Sequence, residues 1–195
     1  MLGRIFAWAA AIMIGVVLGA ASAWGALEIG RTNFAEQYGA WHFNRAAGST
    51  AAGPYSRAII ARDGLLALSA REAMYFTLFA DDQGRPLSES CIYELTGRDL
   101  DARWWSVTLY ADDSFLAQNN DRAHSVDASR ISYSADGYWR ARVSPVKGDA
   151  ANWISSRAAR REFSLTLRVY NPQRDFRPSE QTLPRLTTLS CAGGG

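Results

Sequence analysis

Six aromatic and polar residues in the second half of the sequence are of types that could bind a sugar or an acidic ligand. Aromatic rings offer flat stacking surfaces, while Arg and Asn supply hydrogen bonds to charged or polar groups. As a hypothesis, they form a concave platform made of Trp104, Tyr110, Asn152, Trp153, Arg168 and Tyr170. The alternative, which these residue types favour, is ordinary packing, with Arg168 stacked on an aromatic ring and Asn152 closing a turn.

Motifs for catalysis are missing from the sequence. No serine lies in a G-x-S-x-G turn, and no S-x-x-K or cysteine-protease signature occurs, although a triad of distant residues stays open. His42 and His124 are the only histidines and lack metal-ligand spacing, so we expect no metal and no cofactor. Two of three carboxylate pairs could in principle serve glycoside hydrolysis, but Asp is typical of turns, and we favour this structural interpretation. The pairs are Asp81–Asp82, Asp99 with Asp101, and Asp112–Asp113.

Cys91 and Cys191 are the only cysteines. In an oxidising compartment such a pair can form one structural disulfide, here closing a loop of about 100 residues and stabilising the fold by about 2–4 kcal/mol. Two unpaired buried thiols are the alternative. The prediction is a disulfide that ties the end of the chain to an early strand.

The N-terminal segment predicts export. Residues 5–27 carry no charge, and at about 1.5 Å per residue they reach roughly 34 Å, enough to span a bilayer. Arg4 on the short side places the rest of the chain outside the cytoplasm. We predict a single-pass anchor in a bacterial inner membrane, with the C-terminal domain in the periplasm. The alternative is a signal peptide cleaved after Ala23, which would release the domain into the periplasm.

Composition limits the class of the exported part. The chain has 195 residues, 48% of them hydrophobic, and a formal charge of +2. This is enough for one packed domain, and it lacks the basic excess that nucleic-acid binding requires. Aromatic residues make up 12% of the chain, which favours β-sheets.

Two short helices are predicted after the anchor. Phe34, Tyr38 and Trp41 recur at offsets of four and three, which is typical of an amphipathic helix over residues 33–43. Residues 46–53 resemble a linker, and Pro54 suits the first position of a helix over residues 54–68. A kink or stop at Asp63-Gly64 is open, because Gly64 weakens this second helix.

Strands dominate from residue 72 onward. Apolar and polar residues alternate most clearly in residues 104–110 and 163–170, and Asp136-Gly137 predicts a tight primed turn. The predicted strands cover residues 73–80, 91–96, 104–110, 131–134, 138–143 and 163–170. Short connections between them predict a mainly β fold, an antiparallel β-sandwich or jelly-roll-like domain. The expected division is an anchor at 1–27, a helical lead-in at 28–70 and a β-sandwich domain at 71–191.

The sequence also resembles a known bacterial family through short motifs in a fixed order. These are P-Y-S-R-A at 54–58, E-A-M-Y-F at 72–76, R-W-W-S-V-T-L-Y at 103–110, D-G at 136–137, N-W at 152–153 and F-S-L-T-L-R-V-Y-N-P at 163–172. Their combination is similar to the family catalogued as domain of unknown function 1214. The resemblance implies an exported β-sandwich, often encoded with or fused to a second domain, numbered 1254. It implies no reaction, and a protein carrying domain 1254 becomes a candidate partner.

These features together indicate a function at the cell envelope. The leading interpretation is a membrane-anchored periplasmic domain, not an enzyme, that binds a ligand or a partner protein. One alternative is an envelope hydrolase that acts on a glycan or a lipid-linked substrate. Another is an accessory subunit whose apolar patch is covered by its partner.

Overall fold

The computed structural model describes residues 2–33, 35–45, 47–49, 52–62, 68–69 and 71–192. Helix α1 comes first, at Leu2–Asn33, and helix α2, at Pro54–Arg62, lies between the second and third strands. Ten strands occur in the described residues: β1 Glu36–Tyr38, β2 Trp41–Phe43, β3 Ala73–Leu78, β4 Cys91–Gly97, β5 Ala102–Tyr110, β6 Ser125–Asp127, β7 Trp139–Ser144, β8 Asn152–Ser155, β9 Ser164–Pro172 and β10 Arg185–Cys191.

Helix α1 contains the predicted apolar segment. Gly3–Leu27 is long and apolar enough to cross a bilayer, and its most apolar stretch is not buried against the rest of the chain. Phe6 and Trp8, for example, are each 69% exposed. Such exposure is unfavourable in water and is normal for a helix surrounded by lipid. A signal sequence near the N-terminus fits the same description.

The strands form two sheets. One sheet has the order β1-β2-β3-β9-β5-β6 and the other has the order β10-β4-β7-β8. Strand β8 is parallel to β7, and the other neighbouring strands are antiparallel. The two sheets do not close into a barrel, and the predicted mainly β sandwich is confirmed.

The core lies between the two sheets and follows the predicted alternation. In β5, Trp105, Val107 and Leu109 point inward, and each is at most 1% exposed. Leu165 and Leu167 of β9 pair with Leu109 and Val107 in register and are fully buried. Burial of one face of each strand is what a period of two residues produces.

Two tryptophans join the sheets at the centre of this core. The rings of Trp105 on β5 and Trp139 on β7 stack with 5.0 Å between their centroids. Trp105 donates its indole N–H to Asp99 at 2.8 Å, and Trp139 donates to the carbonyl of Arg98 at 3.0 Å. Gly97 lets Trp139 approach, since a Cβ at this position would lie 2.4 Å from the Trp139 ring.

The helix predicted for residues 33–43 is wrong. Helix α1 ends at Asn33, Phe34 lies outside the described residues, and β1 and β2 form an antiparallel hairpin. Tyr38 and Trp41 are three residues apart because they pair with each other across the turn of the hairpin. The same spacing would place two residues on one face of a helix. Trp41 and Phe43, two residues apart on β2, are both buried, as expected for one face of a strand.

The hairpin predicted around Asp136-Gly137 forms only in part. Residues 131–134 contribute a single bridge, Tyr133 with Trp139, and not a strand. The loop has three residues: Gly137 donates to Ser134 at 3.0 Å and is the residue with positive φ, at 77°. This is a type I turn followed by a left-handed glycine, which replaces the predicted primed turn.

The second predicted helix is present as α2. It begins at Pro54, as expected, and ends at Arg62, before Asp63-Gly64. Residues 63–67 lie outside the described residues, as do Ala46, Thr50 and Ala51 of the predicted linker.

A disulfide joins the two cysteines. Cys91 opens β4 and Cys191 closes β10, and the two residues are direct partners in the antiparallel ladder. The bond spans a sequence separation of 100 residues. It therefore holds the last strand of the chain on the edge of the second sheet.

Breaking this bond should destabilise the domain. We expect Cys91→Ala/Cys191→Ala to lower the free energy of unfolding by about 2–4 kcal/mol, because the unfolded chain regains the freedom of a long loop. Urea unfolding of the full chain in nonionic detergent, followed by tryptophan fluorescence, measures this. Reduction of the native chain should reproduce the loss and leave the double variant unchanged. Equal stability of the native chain and the double variant would contradict the expectation.

Enlarging Gly97 should loosen the contact between the sheets. We expect Gly97→Ala to lower the free energy of unfolding by about 1–3 kcal/mol, because the added methyl group displaces the Trp139 ring from its stack. A second Gly→Ala change at Gly84 would be strained by its positive φ and is not used as the control. Thr187→Ala, on an exposed position of β10, is the matched surface change. The same urea titration compares both variants with the native chain.

Candidate functional site

Four of the six predicted platform residues lie together on the outer face of the first sheet. Strands β5 and β9 are neighbours, and Trp104 pairs directly with Tyr170. Their rings are 5.4 Å apart, and the Trp104 indole donates to Ser129 at 2.9 Å. Arg168 lies over the Tyr110 ring, with 5.3 Å from the guanidinium carbon to the ring centroid.

The polar groups of this face are already engaged. Arg168 donates to the Tyr110 hydroxyl and to Thr108, the latter at 3.3 Å. This is the stacking expected of ordinary packing. The outer face therefore resembles a stabilising cross-strand cluster, in which the arginine has partners from its own sheet.

The remaining two residues, Asn152 and Trp153, lie on β8 in the opposite sheet. Asn152 is buried and fastens the segment before the Asp136 turn: its amide accepts from Ser132 N–H and donates to Ser132 O, each at 2.8 Å. It also donates to Arg140 O at 2.9 Å. Trp153 donates to Ser144 O at 3.0 Å. The six residues thus do not form one platform, because the predicted connecting segment is a strand of the second sheet.

The residues considered for metal binding and nucleophilic catalysis do not converge. In the part of the chain that the structure describes, no three His, Cys, Asp or Glu side chains are grouped as metal ligands. Ser155 donates to Asp121 at 2.6 Å, but Ser155 is fully buried. The Nδ1 atom of nearby His124 is buried and has no hydrogen-bond partner among the described residues. This is not the serine–histidine–aspartate relay of a hydrolase.

A cavity of about 350 Å³ is lined by one of the carboxylate pairs considered for hydrolysis, Asp81–Asp82. We call it the acidic pocket; its lining includes His42, Asp81, Asp82 and Glu180. Asp82 pairs with Arg185 at 3.1 Å. Burial lowers the pKa of His42, so the imidazole is neutral at pH 7.

Asp81 is committed to structure. It accepts hydrogen bonds from Thr188 at 2.6 Å, from the Arg85 side chain and N–H at 2.9 Å, and from Gln83 N–H at 2.9 Å. Burial alone would raise the pKa of Asp81, but these hydrogen bonds outweigh it, and the pKa is lowered. A catalytic acid needs a raised pKa, so Asp81 is not suited to that role. Its hydrogen bonds instead connect the turn after β3 to strand β10.

A larger cavity, about 920 Å³, lies at one end of the sandwich. It opens where β2 ends, β3 begins and the segment after β9 passes over both strands. We call it the arginine pocket. Its floor is apolar and its rim is basic, and in neither part does an acidic residue belong to the described lining.

The floor consists of inward-facing side chains at the end of the first sheet. Phe43 of β2 is buried and stacks on Phe76 with 5.0 Å between the ring centroids. Met74 of β3, Tyr38 and Phe176 are partly buried and pack against the same core. The pocket is therefore the uncovered end of the hydrophobic layer that holds the sheets together.

The rim carries four arginines: Arg45, Arg71, Arg174 and Arg177. Glu36 neutralises one of them, because Arg45 donates to both Glu36 oxygens at 2.6 and 2.9 Å. This contact, followed by a 2.7 Å hydrogen bond from Tyr38, lowers the pKa of Glu36, and the carboxylate stays ionised at neutral pH.

The other three arginines form no ion pair with any of the described residues. Arg177 donates to the carbonyls of Arg174 and Phe176 at 3.1 Å each, which orders its guanidinium without neutralising it. Within the described part of the chain, neither Arg71 nor the Arg174 side chain has a hydrogen bond or an ion pair. The pocket thus combines an apolar floor with guanidinium groups that could bind a ligand. That combination suits a ligand with an anionic end and a hydrocarbon part.

Sequence reasoning missed these arginines. Arg45 follows the β1–β2 hairpin, for which the sequence pattern predicts a helix. Arg71 precedes β3, and Arg174 and Arg177 lie in the segment after β9. Only residues 173–178 give a local sequence signal for such a site. There, two arginines flank Phe176 between Pro172 and Pro178.

Fold and pocket together define a mainly β domain that follows one apolar helix and bears a basic, apolar-floored cavity. Comparison with known proteins agrees with the resemblance seen in the sequence. The model of the family described as "Protein of unknown function (DUF1214)" matches residues 72–174, more than half of the chain. The chain belongs to this family. No curated protein sequence matches it significantly.

Two solved structures are similar to the chain. The VPA0106 protein from Vibrio parahaemolyticus has a TM-score of 0.57 and 23% identity, over 72% of this chain and 36% of that one. A putative uncharacterized protein from Burkholderia cenocepacia has a TM-score of 0.49 and 16% identity, over 60% and 30% of the two chains. The first comparison shows a shared fold. The chain spans about a third of the length of each of these proteins.

The role of Asp81 predicts a pH-dependent stability. Its folded pKa is lowered, so the stabilisation it provides is complete above about pH 4 and is lost as the pH falls through the folded pKa. We expect Asp81→Asn to be less stable than the native chain by about 1.5–3 kcal/mol at pH 7. The difference should shrink at pH 3. Urea unfolding at pH 7, 5 and 3 measures it.

The control for this experiment is Asp101→Asn, which changes an exposed aspartate immediately before β5. It should leave the stability unchanged at each pH. A deficit of Asp81→Asn that is constant between pH 7 and pH 3 would show that the charge of Asp81 is not what fastens the turn.

Proposed function

We propose that this protein is a binding module, held at the periplasmic face of a bacterial inner membrane by α1, whose arginine pocket takes an anionic ligand. The observation that carries the proposal is the pocket itself, a cavity of about 920 Å³. Its floor is apolar, and three arginines on its rim form no ion pair with the described residues. The volume is within the usual range for small-molecule sites.

The chemistry of the rim supports an anion as ligand. Guanidinium groups are always charged at physiological pH and bind carboxylate or phosphate oxygens through paired hydrogen bonds. Of the 21 basic residues in the chain only Lys147 is a lysine, so every cation of the pocket offers this planar geometry. Aromatic rings and Met74 below the rim supply contact for an apolar part of the same ligand.

Location at the membrane is supported by two features. The unburied apolar stretch within Gly3–Leu27 requires lipid or removal, and Arg4 precedes it on the short side. The disulfide between Cys91 and Cys191 is typical of proteins in an oxidising compartment. Cleavage after Ala23 would leave the same domain and the same pocket in the periplasm. A partner carrying domain 1254 stays a prediction from the family resemblance.

The alternative of an envelope hydrolase has weaker support. The carboxylates Asp81 and Asp82 of the acidic pocket are held by hydrogen bonds and an ion pair to other parts of the fold. Glycoside hydrolysis requires one carboxyl group with a raised pKa beside a second ionised one, and Asp81 has a lowered pKa. We therefore propose binding without catalysis.

Phenyl phosphate tests the proposal, because it combines a ring with a phosphate and stays in the aqueous phase. Isothermal titration of the full chain in nonionic detergent should give a dissociation constant of about 0.1–1 mM, as expected for so small a ligand. Arg71→Gln/Arg174→Gln should weaken binding at least tenfold, since each hydrogen bond to a charged group contributes about 1.5–3 kcal/mol. Phenol, which lacks the phosphate, should not bind measurably.

The matched control is Arg103→Gln/Arg161→Gln, which removes the same charge from two exposed arginines outside the pocket. It should bind phenyl phosphate like the native chain. Binding that is absent from the native chain, or that is equal in the two double variants, would reject the arginine pocket as an anion site.

A further inference from the structure

We infer that the ligand of the arginine pocket is an anionic phospholipid of the same bilayer that holds α1, bound through its phosphate. This inference rests on the proposed function and specifies its ligand. It follows from three properties of the pocket: its place along the chain, the pairing of its charges, and its mixed lining.

The pocket begins where the chain leaves the membrane. The apolar span ends at Leu27, helix α1 continues to Asn33, and β1 starts at Glu36. Six helical residues rise about 9 Å, and three further residues reach at most about 10 Å. The start of β1 is therefore within about 20 Å of the hydrocarbon boundary, close to the layer of lipid headgroups.

One rim residue is fastened to this starting point. Glu36 accepts two hydrogen bonds from Arg45 and one from Tyr38, so the first residue of β1 holds both a rim arginine and part of the floor. Arg45 and Tyr38 are thus held by a residue that lies only three positions after the end of α1. A headgroup has only a short distance to travel from the bilayer surface to the rim.

Charge complementarity favours a phosphate at the open part of the rim. Arg71 and Arg174, whose guanidinium groups form no hydrogen bond or ion pair with the described residues, are both exposed. A phosphodiester carries one negative charge and offers two unsubstituted oxygens, which match the fork of N–H donors on a guanidinium. Zwitterionic headgroups bring their own cation and would meet three like charges on the rim.

The floor distinguishes a lipid from a free phosphate. Tyr38, Met74 and Phe176, which are only partly buried, present rings and a thioether that gain nothing from an inorganic anion. They gain by covering the glycerol and the first methylene groups of an acyl chain, at roughly 25 cal/mol for each Å² removed from water. The bilayer also supplies lipid at a high effective concentration beside a tethered pocket, so weak intrinsic affinity suffices.

The test compares short-chain lipids that differ in headgroup charge. The full chain, purified in nonionic detergent, is mixed with dihexanoyl phosphatidylglycerol, dihexanoyl phosphatidylcholine or glycerol 3-phosphate, and native mass spectrometry measures the bound fraction. We expect phosphatidylglycerol to bind at least tenfold more tightly than phosphatidylcholine. It should also bind more tightly than glycerol 3-phosphate, because only the lipid covers the floor.

The arginine variants assign the binding to this pocket. Arg71→Gln/Arg174→Gln should abolish the preference for phosphatidylglycerol, and Arg103→Gln/Arg161→Gln should preserve it. Three results would overturn the inference: equal binding of the two lipids, equal binding of glycerol 3-phosphate and phosphatidylglycerol, or a preference that survives Arg71→Gln/Arg174→Gln.

Phenyl phosphate separates failure of this inference from failure of the proposed function. If phenyl phosphate binds through Arg71 and Arg174 while phosphatidylglycerol gains no advantage, the pocket is an anion site for a soluble ligand and the lipid is the wrong source. If neither phenyl phosphate nor phosphatidylglycerol binds, both proposals fall.

Discussion

The stack of Trp105 on Trp139 is the contact on which the sandwich depends. It joins β5 of one sheet to β7 of the other, with 5.0 Å between ring centroids, and both indole N–H groups are satisfied by the connection between β4 and β5. Large buried rings contribute much of the apolar area that holds two sheets together. Gly97, the cross-strand partner of Trp139 in the same sheet, leaves the space that the Trp139 ring occupies in this stack.

The arginine pocket exists because this core is left open at one end. The segment that follows β9 leaves the first sheet, passes the ends of β2 and β3, and enters β10 of the second sheet. Trp41 donates to the carbonyl of Pro184, which holds the last part of that crossing in place. Farther along, the disulfide fixes the end of β10. The crossing can therefore present Arg174 and Arg177 above the floor while both of its ends are anchored.

Arginines with partners and arginines without them have different surroundings in the described part of this molecule. Arg168 on the outer face donates to Thr108 and Tyr110 and stacks on the tyrosine ring, so its charge and its surface are used within the sheet. Arg71 and Arg174 have no such contacts in the described structure and border a cavity. An exposed guanidinium beside apolar surface is well suited to binding an anion, because little must be broken before the ligand is bound.

The sequence alone determined the apolar span, the family, the strands with a clear period of two, and the inward residues of β5 and β9. Each of these depends on the pattern of residues that are close together in the sequence. It did not determine the β1–β2 hairpin, where a spacing of three in Tyr38 and Trp41 fits a helix as well as two facing strands. Nor could it place Asn152 in the other sheet from Trp104. Only the tertiary structure assembled the arginine pocket, since its charges come from residues 45, 71 and 174–177, which become neighbours when β2, β3 and the segment after β9 meet at one end of the sandwich.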